Sequence, residues 1–231
     1  MIYLDNAATS FHKPDSVPRA VVEAMQHAGN SGRGSSGEAM AASRLIFNTR
    51  CQIAEMFDVW GPECVAFTSN DTEALNIALQ GTLHPEEGTI HAICTEMDHN
   101  SVLRPLYRLE KKGMELTILP ADRKGRISLT ELEAAIRPET KVIVCTHASN
   151  LTGNLNDIHA IGAIAQKHQK LFIVDAAQTA GVFPISMKKD HIDILCFSGH
   201  KGLMGPQGTG AICVRPGVSV EPLKVGGSGV L

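Results

Sequence analysis

Six short apolar runs, each followed by a different polar cluster, constrain this chain more than any other feature. They lie at 64–68 (CVAFT), 89–94 (TIHAIC), 115–119 (ELTIL), 141–146 (KVIVCT), 170–174 (KLFIV) and 192–197 (IDILCF). Helical patterns occupy 71–82, 100–112, 128–136 and 156–168, between the first five runs. Strands that are apolar nearly throughout are buried on both faces, and intervening helices allow parallel neighbours. The pattern predicts a mostly parallel sheet with helices on both faces. Upstream, Ile2 to Leu4 reads as a short strand or extended arm. A helix follows from Pro14 to Ala28, then a glycine- and serine-rich loop over 30–37 and a long amphipathic helix over 39–57.

In sheets of this kind ligands bind beyond the carboxyl ends of the strands. After 64–68 comes Ser69-Asn70-Asp71-Thr72-Glu73, a helix start whose free N–H groups and hydroxyl suit an anion. A plain helix cap explains the same residues equally well. Glu96-Met97-Asp98-His99 follows the second run and His147-Ala148-Ser149-Asn150 the fourth. The fifth ends in Asp175-Ala176-Ala177-Gln178, an acid where an apolar residue is expected; a carboxylate buried there needs a cation or several donors. The sixth stops at Ser198-Gly199-His200-Lys201, before a glycine turn and a last apolar run at 211–214. Desolvation and nearby cations favour the neutral amine of such a lysine, the nucleophile of Schiff-base chemistry. A solvated loop lysine is the bland alternative. The turn GPQGTG is no nucleotide loop, because no lysine of the phosphate-loop pattern follows and the glycines precede a strand.

Composition narrows the field. Net charge is −3, and no basic block suggests nucleic acid or a membrane surface as partner. No apolar stretch is long enough to span a bilayer and the start lacks a basic leader, so the cytoplasm is the expected compartment. The six cysteines show no metal spacing, and Cys94, Cys145, Cys196 and Cys213 fall inside apolar runs. No metal site is expected. An imidazole, a buried acid, an amide, an anion cradle and a Schiff-base lysine together form the set that pyridoxal 5'-phosphate requires.

In order and spacing, YLDNAATS, FTSNDTEALN, EMDHNSVLRP, HASNLTGN, VDAAQTAG, SGHKGLMGPQGTG and GGSG resemble the class V aminotransferase family of fold-type I pyridoxal-phosphate enzymes. Within it they are most similar to the cysteine desulfurase and selenocysteine lyase branch. The resemblance implies an α/β three-layer sandwich with a mostly parallel mixed sheet. It implies an arm over 1–13 and the cofactor-binding large domain over 14–231, with the family's smaller C-terminal domain absent. Lys201 would carry the cofactor and act as acid and base on the substrate. Asp175 would pair with the pyridine nitrogen and Gln178 with the phenolic oxygen, near Asn150. His99 would stack on the ring and could transfer protons. Thr72, the backbone at Asp71, Ser198 and His200 would hold the phosphate. Ser228 would reach a partner subunit's phosphate, which implies a homodimer.

The implied reaction converts L-cysteine to L-alanine and passes sulfur on as a persulfide, with a sulfur-acceptor protein as a further partner. Selenocysteine lyase and transamination are sibling readings, and a fragment that binds cofactor without turnover is another. Two departures stand out: the phosphate turn at Asn70 and Asp71, and the end at Leu231, short of the part that in the family carries the sulfur-accepting cysteine and the arginine that grips the substrate carboxylate. Asn70 occupies a position where the family usually carries glycine and is expected to tolerate a left-handed turn. Asp71 replaces a small residue beside the phosphate seat, and is expected to turn away as a helix cap.

Overall fold

The computed structural model describes residues 2–32 and 36–226. Seven strands form one sheet: β1 (Val65–Thr68), β2 (His91–Thr95), β3 (Glu115–Leu119), β4 (Thr140–Thr146), β5 (Leu171–Asp175), β6 (Ile194–Ser198) and β7 (Gly210–Val214). Their order is β1-β7-β6-β5-β4-β2-β3. The ladders joining β3, β2, β4, β5 and β6 are parallel, while β7 runs antiparallel to both β6 and β1. The helices are α1 (Ser16–His27), α2 (Gly37–Met56), α3 (Asp71–Thr82), α4 (Asn100–Glu110), α5 (Leu129–Ala135) and α6 (Ile158–Lys167).

Alternate strand residues face two separate cores, which makes the three layers explicit. Ile143, Cys145, Phe172, Val174, Leu195 and Phe197 pack with Phe57 after α2, Leu132 of α5 and Ile161 of α6. Val142, Val144, Ile173, Ile194 and Cys196 pack with Leu75 and Leu79 of α3 and Val102 and Leu106 of α4. Both faces of the central strands are therefore dry, and burying each large side chain contributes on the order of 1.5–3 kcal/mol.

The departures from expectation are local. The first apolar run begins pairing at Val65, because Pro62–Cys64 forms a short 3-10 turn. β2 starts at His91, after Gly88 takes a left-handed φ of 144°. Residues 2–4 are extended and join no strand of the sheet. α1 buries none of its residues, and Val22 and Met25 stay exposed.

Candidate active site

The chain reverses direction through the sheet at β2, with β3 on one side of it and β4, β5 and β6 on the other. Beyond the carboxyl ends of these strands is a cavity of ≈ 420 Å³ whose lining includes Asp71, Thr72, His99, Asp175, Ser198 and Lys201. Asn150, Gln178 and His200 line it as well. A hollow of similar size at the opposite end of the sheet is lined by Trp60, Lys188 and Arg215. Of its cations, Arg215 pairs with Asp193 and Lys188 with Asp58, and Lys170 Nζ donates to the Pro138 carbonyl.

Asp175 ends β5 and is almost wholly buried. Its Oδ1 accepts the Ala177 N–H at 2.9 Å, and its carbonyl accepts the His147 N–H at 2.8 Å, which fixes the ends of β4 and β5 together. Burial raises its carboxyl above the ordinary range, against the Ala177 hydrogen bond, Asp71, His99 and Lys201. One strand across, Ser198 ends β6 and the chain turns through Gly199 to the half-buried Lys201. A Cβ on Gly199 would lie 2.4 Å from Thr209 Oγ1, so the close return of this turn toward β7 requires glycine.

The first ten residues complete the wall. Ser10 Oγ donates to the Lys201 carbonyl at 2.5 Å and Ser10 N–H to the His200 carbonyl at 3.2 Å. Thr9 Oγ1 donates to the same His200 carbonyl at 3.2 Å and lies 3.0 Å from His200 Nδ1. Gln178 Nε2 donates to the Ala7 carbonyl at 3.0 Å. Burial, then Lys201 and Lys13, lower the His200 imidazole below its usual range, so it is neutral at pH 7.

At the start of α3 the two expectations for Asn70 and Asp71 are corrected. Asn70 is extended, at φ −174°, and is itself the cap, its Oδ1 accepting the Glu73 N–H at 2.8 Å. Glu73 folds back onto the Ser69 N–H and hydroxyl at 2.7 and 2.6 Å and takes Lys224 Nζ at 3.0 Å. Those Ser69 bonds, then Lys224, hold its carboxyl down at about 2. With the cap position filled, Asp71 turns inward and is 7% exposed.

His99 precedes α4 and is exposed to the cavity, its Nδ1 accepting the Ser101 N–H at 3.2 Å. Nδ1 is therefore the unprotonated nitrogen of the neutral ring and Nε2 carries the hydrogen. Ser101 Oγ lies 2.9 Å from His99 Nδ1 and 2.8 Å from Thr72 Oγ1, a relay that sequence reasoning missed. It also missed Asp98, whose carboxylate takes Thr95 N–H at 2.7 Å, Thr95 Oγ1 at 2.9 Å and Thr146 N–H at 2.5 Å. That acid ties the ends of β2 and β4 together and so holds the loop that carries His99. Burial pushes it up to about 7. The available signal for Ser101 was its place two residues after His99, where the cap's side chain accepts a backbone N–H. Asn150 is exposed at the rim and Gln178 half-buried. Ser228 lies outside the described residues.

Two buried polar atoms at this cavity lack any hydrogen-bond partner among the described residues, Ser198 Oγ and Asp71 Oδ1. Nor does a described partner take the N–H groups of Asp71 and Thr72. Orphaned donors at a helix start, a hydroxyl without a mate, and a lysine beside a buried acid together fit a phosphorylated aromatic aldehyde. Fold and cavity thus define an α/β domain with a lysine and a buried acid at the strand ends of one cavity. The family model described as Aminotransferase class-V matches residues 2–230, and the chain belongs to that family. Its members depend on pyridoxal 5'-phosphate.

Among curated relatives, the cysteine desulfurase IscS of Vibrio atlanticus (strain LGP32) is 36% identical over 232 residues, covering 98% of this chain and 57% of its own length. The cysteine desulfurase IscS of Shewanella loihica (strain ATCC BAA-1088 / PV-4) is 35% identical over 236 residues with the same coverage. Among solved structures, SspA in complex with cysteine superposes with a TM-score of 0.92 at 31% identity, covering 98% of this chain and 65% of that one. The apo cysteine desulfurase from Thermococcus onnurineus NA1 superposes at 0.85 and 34%, covering 98% and 57%. The chain thus spans well under two thirds of the curated relatives it matches.

None of the six cysteines lines this cavity. Cys94, Cys145, Cys196 and Cys213 are buried, and burial pushes all four thiols up, Cys213 to about 12. Such thiols are inert at neutral pH. In the native chain an aromatic disulfide reagent at pH 7 is expected to reach Cys51 and Cys64 at most, and slowly. Persulfide mapped to any of the six after cysteine addition contradicts their structural role.

Proposed function

We propose that this chain is the cofactor-binding part of a pyridoxal-phosphate-dependent cysteine desulfurase, which converts L-cysteine to L-alanine and leaves the sulfur on an acceptor thiol. The observation that carries the reading is Lys201 and Asp175 at adjoining strand ends of one cavity that His99 also lines. When bound, pyridoxal 5'-phosphate supplies an electron sink for negative charge at the substrate α-carbon. Lys201 Nζ would hold the cofactor and move the α-proton. Asp175 would favour a protonated ring nitrogen, and Gln178 and Asn150 would serve the phenolic oxygen. Thr72, Ser198 and His200 would seat the phosphate. His99, with Nδ1 taken by the Ser101 N–H, would deliver a proton from Nε2. The unburied apolar side chains of the arm and α1, among them Ile2, Leu4 and Met25, support a homodimer, with Ser228 serving the partner's phosphate. The test is absorbance spectroscopy of the purified chain with pyridoxal 5'-phosphate. A visible band that L-cysteine perturbs is expected, and no uptake of cofactor overturns the reading.

A second reading, cofactor binding without turnover by these 231 residues, is favoured by the cavity lining, which contains neither a thiol nor an arginine among the described residues. A guanidinium would orient the substrate carboxylate and a thiol would take the sulfur; without orientation much of the rate advantage of a bound substrate is lost. Alanine release by the chain is expected to fall at least ~100-fold below that of a desulfurase of the family, a modest part of what orientation can supply. Comparable release by the two rejects this second reading.

A further inference from the structure

Asp71 is the residue that neither the fold nor the phosphate seat explains. It is more than nine-tenths buried at the first turn of α3, beside the equally buried Asp175 at the end of β5. Its neighbour Asn70 does the capping, so Asp71 is not held inward by a cap hydrogen bond. Asp71 Oδ1 has no partner among the described residues. Two ionised carboxylates in one dry pocket repel strongly, and such pairs keep a proton. The surrounding charges do not remove the conflict. Lys201 after β6 is the neighbouring cation and the His99 imidazole before α4 faces Asp175, while Asp98 adds negative charge near Asp175 and Cys196 of β6 remains a thiol. Glu73, on the same helix, is turned outward to Ser69 and Lys224.

We propose that Asp71 and Asp175 share one proton, with Asp71 as its donor, so that Asp71 is a neutral positioning residue which presents Asp175 as a single oriented negative charge. Burial, followed by the Asp175 charge and the hydrogen bond between the two, drives the Asp71 carboxyl well above the ordinary range, against only a smaller opposing pull from Lys201. A neutral Asp71 also removes the repulsion between a carboxylate and a phosphate in the same cavity. The orientation toward a ring nitrogen rests on the function proposed above; the shared proton does not.

The sign of the pH dependence follows. Asp71 binds its proton more tightly folded than unfolded, so the stability it contributes is complete below the ordinary carboxylate range. It is lost as pH rises toward the raised folded value. Urea unfolding of the 231-residue chain without cofactor, measured across the neutral range beside the double variant Asp71→Asn, Asp175→Asn, reads this directly. The unfolding constant of the natural chain, divided by that of the variant, should climb by up to about tenfold for each pH unit above the ordinary carboxylate range, for as long as the folded chain keeps the shared proton. A flat ratio overturns the shared proton. Should the variant not fold, carbon-13 spectra of the aspartate-labelled natural chain decide. One of the two carboxyls still protonated well above the ordinary carboxylate range while the other is ionised is expected; two carboxyls that both ionise within the ordinary range overturn the proposal. Both measurements are made without cofactor, so their failure leaves the cofactor assignment standing. Conversely, failure of the chain to take up pyridoxal 5'-phosphate leaves the shared proton standing.

Discussion

Replacing Lys201 by alanine abolishes all cofactor that borohydride can fix to the chain. The other amines near the site do not substitute for it. Lys13 reaches toward the His200 carbonyl at 3.5 Å, and Lys224 is engaged with Glu73. Neither lysine lines the cavity. Lys201 alone is carried into it by a turn that glycines close, with the Met204 N–H returning to the Lys201 carbonyl at 2.9 Å. Alanine removes the amine without disturbing that carbonyl, so the turn and the Ser10 contact persist and the fold is expected to survive. The measurement is mass spectrometry after reduction in the presence of pyridoxal 5'-phosphate, with far-ultraviolet circular dichroism as the folding control. An adduct of undiminished yield in the variant removes Lys201 from its proposed role.

Asp175→Asn leaves much of the cofactor bound and slows α-proton exchange on an added amino acid by roughly 10²–10³, the usual loss when one oriented charge is removed from a site. The amide oxygen of asparagine can still accept the Ala177 N–H that Asp175 Oδ1 takes at 2.9 Å, so the strand end keeps its shape. What disappears is the negative charge that favours a protonated ring, and with it most of the electron withdrawal. Exchange followed by proton NMR in deuterated water gives the rate. Equal rates in the two proteins reject the assignment, whereas loss of all cofactor points to a purely structural acid.

The strands were legible because burial on both faces makes them apolar nearly throughout. Val142 to Val144 and Phe172 to Val174 contribute to both cores, so their runs have no polar interruption. The strand-end residues His99, Asp175, Ser198 and Lys201 were legible for the same reason, as polar side chains where an apolar run stops. Side-chain direction was not legible. Whether Asp71 caps a helix or turns inward depends on Asn70 taking the cap and on Asp175, 104 positions later in the chain, lying across the cavity. The Asp98 tie and the Ser101 relay were hidden likewise. Each joins strands or helices whose adjacency is decided by the order of the sheet, which local pattern does not encode.

The bonds from Ser10 to the lysine turn join positions 191 residues apart in the chain. Contacts of that separation carry the full entropy of closing a long loop and form late in folding. During synthesis the arm must therefore wait until the turn around Lys201 has emerged before it finds its seat. Until then the turn that carries Lys201 lacks one of its walls. Competence to hold cofactor is thus a readout of completed folding.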